Sequence, residues 1–298
     1  MLGGAVSFAL MGAFTHALGS RCDWVFVAVV RTVVMLGSAV AMAWVAGVRL
    51  VVWRPPTLWT RSLAGSCSLV FNFYALARLP VADAITLSNL YPLWIVLATA
   101  LVLRQPLTLG ETLGVLSGIA GVVMIERPHL EGDRLAVVAA IGSSVSTAVA
   151  MFGLHRLRNI DSRAVVAHFA AVGTVVAGVW VLVRPWSGWQ IVVNPLTLSL
   201  LLGVGISGTI GQVCLTRAYA SGAPTRVSVF GLSQVVFAMS LDVLFWNRSF
   251  SPSTLLGFLL VLTPAAWLIG QSRIKLGTNP EFGRRGDPTP CQSETVAS

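Results

Sequence analysis

Tyr74-Ala-Leu-Ala-Arg-Leu-Pro80 closes one long apolar run and leads into the next. At an offset of 143 residues the same place is held by Arg217-Ala-Tyr-Ala-Ser-Gly-Ala223, with Ala75 over Ala218. The register persists further along, where Leu107-Thr-Leu-Gly-Glu-Thr-Leu-Gly114 lies over Phe250-Ser-Pro-Ser-Thr-Leu-Leu-Gly257. No gap is needed across three predicted helices, and the loop lengths agree, which chance hydrophobicity does not produce. The second half of the chain therefore partly copies the first.

What is copied is a set of membrane spans. Of the 298 residues, 55% are hydrophobic and 10% charged, and mean hydropathy is +0.81. A soluble domain carries about 25% charged residues, so the apolar excess is read as lipid-facing surface. A helix needs roughly 20 residues to cross the hydrocarbon. Ten runs meet that need, over 2–19, 24–47, 60–79, 83–103, 110–125, 135–154, 164–183, 196–216, 225–246 and 253–270. Alternating segments of β-barrel type are absent from the sequence. The expected fold is an all-α polytopic membrane protein of two five-helix units, residues 1–126 and 135–271, followed by a disordered cytoplasmic tail over 272–298.

Five spans is an odd number, so the copies run through the membrane in opposite directions and the repeat is inverted. Lys and Arg favour one side by about two to one when the N-terminus is placed inside, with Arg61 counted among the inside residues; both termini are then cytoplasmic. Met1 to Leu18 is read as a retained first span, because no basic segment precedes it and no small-residue cleavage site follows. The net charge of +9 sits in short loops, where it sets topology, so nucleic acid is not an expected partner. Cys22, Cys67, Cys214 and Cys291 show no metal or redox spacing. No cofactor or metal is expected.

Residues Phe73 to Ile125 and Cys214 to Ile269, with the pattern Ala75-Leu-x-x-Leu-Pro-x-Ala-Asp-Ala84 and a Pro-centred helix after it, resemble the two EamA repeats of the drug/metabolite transporter superfamily. The resemblance covers nearly everything but the tail. It implies a ten-helix inverted-repeat transporter whose central cavity is lined by the first, third, fourth, sixth, eighth and ninth helices. The chain departs from the family where a Glu commonly follows the fourth and ninth helices: Gln105 and Arg248 stand there instead.

Polar residues inside spans are the candidate site. Arg31 lies well within the second span, either as an anion or carboxylate contact at the cavity edge or as a structural Arg bonded to helix carbonyls or a carboxylate. Asn72, Asn89, Tyr91, Gln212 and Gln234 are the substrate-binding candidates, with Tyr91 and Gln234 equivalent at the repeat offset. Pro92 frees a carbonyl one turn back and is a candidate gate hinge. Asp242, His16 and His168 are coupling candidates, although Asp242 is also placed to pair with Arg248, and a membrane histidine commonly bonds helix to helix. Glu111 is read as satisfied by its own helix N-terminus, and the serines around Ser143 as interhelical glue. Gly114, Gly118, Gly121 and Gly257 form a small-residue face for packing or for a homodimer.

The functional expectation is a secondary carrier of small polar organic metabolites in the inner (plasma) membrane, with a non-transporting scaffold or receptor as the alternative. No P-loop is present for ATP drive. Neither a His-Glu-x-x-His nor a Gly-x-Ser-x-Gly constellation supports an intramembrane enzyme.

Overall fold

A computed structural model describes residues 1–19, 21–51, 53, 55–76, 78–79, 81–102, 104, 108–126, 133–183, 192, 194–246 and 251–277. Among these there is no β-strand, and eleven helices carry the fold. In chain order they are α1 (Leu2–Leu18), α2 (Trp24–Val45), α3 (Pro56–Leu76), α4 (Val81–Ser88), α5 (Tyr91–Val102), α6 (Leu109–Glu126), α7 (Arg134–Arg156), α8 (Ser162–Val183), α9 (Pro195–Ser221), α10 (Pro224–Trp246) and α11 (Pro252–Gly277). Gln105, Arg248, the Arg184 to Trp189 segment and the tail from 278 onward lie outside the described residues.

The starts of these helices follow from local chemistry. Proline lacks the N–H that the first helical turn leaves unbonded, and Pro56, Pro195, Pro224 and Pro252 each open a helix. Side-chain caps supply acceptors to the remaining first-turn donors. Asp23 Oδ1 accepts from Val25 N–H at 2.8 Å, Asp133 Oδ1 from Leu135 N–H at 2.9 Å, and Asn194 Oδ1 from Thr197 N–H at 2.7 Å.

Seven helical stretches are long and apolar enough to cross a membrane, one of them the joined α4–α5 from Asp83 to Val102. Leu2–Leu18 and Pro252–Leu268 are shorter apolar helices. α3 is the polar one, diluted by Arg61, Ser62, Ser66, Ser68 and Asn72. Large apolar side chains point outward along the bundle, among them Leu101, Leu113, Val175, Leu202, Leu244 and Leu259. Exposed leucine and valine on that scale suits a lipid solvent.

Three boundaries differ from expectation. α3 begins at Pro56, four residues before the apolar run, so Arg61 lies within the helix and not in a loop. The expected fourth span is two helices, interrupted at Asn89–Leu90 just ahead of Pro92. α11 continues to Gly277, so the tail expected from 272 starts as helix.

Helices from the two halves pack against each other throughout: α3 on α7, α1 on α9, α2 on α8 and α6 on α11. Lipid gives no hydrophobic drive for such contacts, so close approach and interhelical bonds hold them. At α6–α11 a Cβ added to Gly121 would sit 2.7 Å from the Gly257 carbonyl, and Gly110 leaves room for the Trp267 ring. The glycine face is thus consumed within the chain. Ser117 Oγ donates to the Leu260 carbonyl across the same seam at 2.9 Å.

Candidate functional site

Gly208, Gln212 and Thr216 recur at four-residue spacing on α9 and so share one face. That face is buried, with Gln212 at 8% and Thr216 at 2% exposure. Two arginines from other helices come to it. A Cβ on Gly208 would lie 3.1 Å from Met11 Sδ and 3.5 Å from Arg31 Nε, so the glycine lets the Arg31 side chain of α2 cross α9. One turn along, Arg61 Nη2 of α3 donates to Gln212 Oε1 at 3.1 Å.

Arg61 is the largest fully buried side chain, at 1% exposure. Its guanidinium lies 3.9 Å over the Phe169 ring of α8, a cation–π contact. Glycines make the space: a Cβ on Gly65 would stand 3.1 Å from Arg61 Nη1, and one on Gly153 would stand 3.4 Å from Arg61 Cβ. Behind it, Ser62 Oγ and His168 Nδ1 share a hydrogen bond of 2.8 Å, and the Trp59 ring meets His168 edge-on at 4.8 Å.

Neither arginine forms an ion pair among the described residues. The ion pairs between described residues are Arg226–Glu111 at 2.6 Å and Arg78–Asp133 at 3.9 Å. Arg31 Nε, Arg61 Nε and Arg61 Nη1 are buried with no hydrogen-bond partner among the described residues, as are Ser66 Oγ and Thr216 Oγ1 nearby. Arginine stays charged in proteins, and a cation held within a membrane bundle is costly unless something compensates it. Buried donors are normally paired with protein or with ordered water, so the two arginines are the candidate for holding a polar group from outside the chain.

The other candidates scatter. Tyr91 opens α5 and packs against Tyr219 of α9. Its hydroxyl fills the place where Gly231 of α10 lacks a Cβ. Asn89 spends its amide on its own helix, donating to the Ile85 carbonyl at 2.9 Å. Pro92, buried in α5, stands directly after the α4–α5 interruption. Asn72 and Gln234 are half-buried on α3 and α10. Asp242 is half-buried one turn from the end of α10, and the Arg248 expected beside it lies outside the described residues. His16 is exposed at the end of α1, stacked on Trp246 at 4.6 Å, away from the arginines. His168 instead lies in the wall behind Arg61.

Two readings need correction. Glu111 is not satisfied by its helix N-terminus alone: it accepts from Arg226 Nε at 2.6 Å and Thr225 Oγ1 at 3.3 Å, tying α6 to α10. Hydropathy starts the third span at residue 60 and sets Arg61 at its edge, so the sequence does not single it out. Pro56 as a helix start is the signal that places it a full turn inside. The serines of α7 do bond between helices: Ser68 Oγ meets Ser143 Oγ at 3.1 Å and Thr147 Oγ1 at 2.6 Å. Trp94 Nε1 donates to Ser144 Oγ at 2.9 Å.

An all-helical, lipid-facing bundle with a buried polar cluster between helices of its first and second halves has the layout of a polytopic membrane protein of carrier type. The chain belongs to the EamA-like transporter family, whose model matches residues 1–127 and 131–270. It is similar to the pseudopaline exporter CntI of Pseudomonas aeruginosa, 31% identical over 235 residues that cover 78% of this chain and 80% of the relative. It also resembles human solute carrier family 35 member G1, at 24% identity over 63% of this chain and 55% of that protein. A crystal structure of a protein 21% identical shares the fold, with a TM-score of 0.76 over 92% of this chain and 97% of the other. The chain is a multi-pass integral membrane transporter.

Proposed function

We propose that this transporter is a secondary carrier that moves small polar organic metabolites across the inner (plasma) membrane by alternating access. On this reading α4 and α5 together form one span, giving ten. The two inverted halves are residues 1–126 and 135–271, and both termini are cytoplasmic. The observation that carries it is packing between the halves that repeats under the 143-residue offset. Ser68 meets Thr147 where α3 crosses α7, at 2.6 Å. Their offset partners are Gly211 and Gly4, where α9 crosses α1, and a Cβ on Gly4 would lie 3.4 Å from the Gly211 carbonyl. Two near-equivalent seams are what a rocking carrier exchanges between, with substrate held at their common interface.

Two further features support it. The α4–α5 interruption resembles the discontinuous helices from which carrier sites are built. The relative named as a pseudopaline exporter supports a small organic solute as cargo. The test is solute exchange in proteoliposomes across a metabolite panel, read beside thermal stability. A substrate at ~100 times its dissociation constant stabilises the folded state by ~2.7 kcal/mol. Exchange of at least one solute is expected. A broad panel giving neither exchange nor stabilisation would leave the scaffold reading in its place. A C-terminal reporter found outside the cytoplasm would reverse the orientation.

A further inference from the structure

Resting on the carrier reading, we infer that the central site takes dicarboxylates, with Arg31 and Arg61 as its two anion-binding groups. The two guanidiniums come from different helices, α2 and α3, yet reach the same buried face of α9 at Gly208 and Gln212. Four residues of helix separate the Cα positions of Gly208 and Gln212 by about 6 Å along the axis. Two cations brought to one face of α9, each with an unbonded buried N–H and no carboxylate paired to it among the described residues, fit one solute carrying two carboxylates better than two solutes. Carboxylates match guanidinium geometry by accepting two N–H bonds at once.

The bonds Arg61 already makes leave it free for this. Gln212 takes one nitrogen and the Phe169 ring takes a face, both neutral partners that orient the group without cancelling its charge. Nε and Nη1 have no partner among the described residues, and either can meet a carboxylate oxygen, alone or together with the second hydrogen of Nη2. At the repeat offset Arg31 and Arg61 correspond to Thr174 and Val204. The scaffold is duplicated and the charge is not, which places the cations in the first half as an added specificity element.

The experiment uses the full chain in phosphatidylcholine nanodiscs and in proteoliposomes, with succinate, glutarate and adipate as probes. Valerate, glutaramide and 1,5-diaminopentane are the controls for one, no and opposite charge. Dicarboxylates are expected to raise the melting temperature and to exchange. Arg31→Gln and Arg61→Gln should each weaken the apparent affinity at least tenfold, and Arg61→Lys should weaken it less than Arg61→Gln. Arg78→Gln, on the exposed surface, should leave it unchanged. Equal responses to glutaramide or diaminopentane, or responses that survive both glutamine variants, would overturn the dicarboxylate site and leave the carrier standing. So would Arg61-dependent stabilisation by added phosphatidylglycerol that abolishes the glutarate response, since a lipid head group would then be the anion. Exchange of no solute of any charge would remove both readings. Should Arg61→Gln fail to fold, Arg31→Gln and Arg61→Lys carry the same comparison.

Discussion

Arg61 and Glu111 are both buried and charged, and they differ in what surrounds them. Glu111 meets a cation, Arg226, at 2.6 Å, with Thr225 as a second donor. Arg61 meets a neutral amide and a ring. Substitution should therefore move stability in opposite directions. Arg226→Met leaves the Glu111 carboxylate buried beside one hydroxyl, and breaking a fully buried pair costs about 3–5 kcal/mol, less here because Arg226 is partly exposed. Its melting temperature in detergent should fall. Arg61→Met keeps the volume and the contact with Phe169 while removing a desolvated charge. Apolar replacement of buried charge is often neutral or stabilising by about 1–4 kcal/mol, so its melting temperature should hold or rise. A clear fall would mean that Arg61 serves the fold, not a ligand. A residue kept for binding at the expense of stability is the usual trade at a site. Arg31 was legible from the sequence, because a charge far from both ends of an apolar run stands out. Arg61 was not, because α3 starts ahead of its apolar run.

Among the elements, the α4–α5 interruption and the α6–α11 seam make contrasting predictions. Pro92 cannot donate to the Ser88 carbonyl, and Leu90 N–H turns to Leu87 O while Leu93 N–H turns to Leu90 O. Pro92→Ala restores the missing donor. If the interruption is the hinge of a gate, exchange should slow several-fold with little change in melting temperature. A variant that exchanges at the normal rate would end the hinge role. At the other seam nothing needs to move. A Cβ on Gly121 would press on the Gly257 carbonyl and Val261 Cγ2, both 2.7 Å away. Gly121→Ala should separate α6 from α11 at a cost of about 1–3 kcal/mol, the usual range for overpacking, read as a lower melting temperature. The interruption was foreseeable from one proline and the seam from glycine spacing. That α6 would meet α11, and not a second copy, was not, since small-residue faces look alike whatever they pack against. Asn89 shows a related ambiguity: an amide inside a span reads as a site whether it faces a ligand or its own helix carbonyl, and here one amide N–H bonds Ile85 O.

For the molecule as a whole, the duplication makes a symmetric frame on which an asymmetric charge pair is mounted. If the frame rocks, the α1–α9 seam must part in one state while its counterpart, α3–α7, stays closed. Native chemistry offers a lock. A Cβ built on Gly4 lies 3.3 Å from Cys214 Cβ, close to the roughly 3.5–4.5 Å that bridged cysteines require. Gly4→Cys, in a chain whose Cys22, Cys67 and Cys291 are changed to Ser, should therefore form a disulfide with Cys214 on mild oxidation. The bond ties the start of α1 to α9 seven residues before its end. In proteoliposomes the oxidised protein should stop exchanging solute while still binding it, and dithiothreitol should restore the rate to that of the reduced variant. The reduced form controls for any packing cost of the new side chain. The reciprocal half of the cycle gives a second readout, because a locked α1–α9 seam should leave solute access from one side of the membrane only. Exchange at the full rate through a chain shown to be cross-linked would mean that α1 and α9 never separate, and the two halves would then have to move along another seam or not at all.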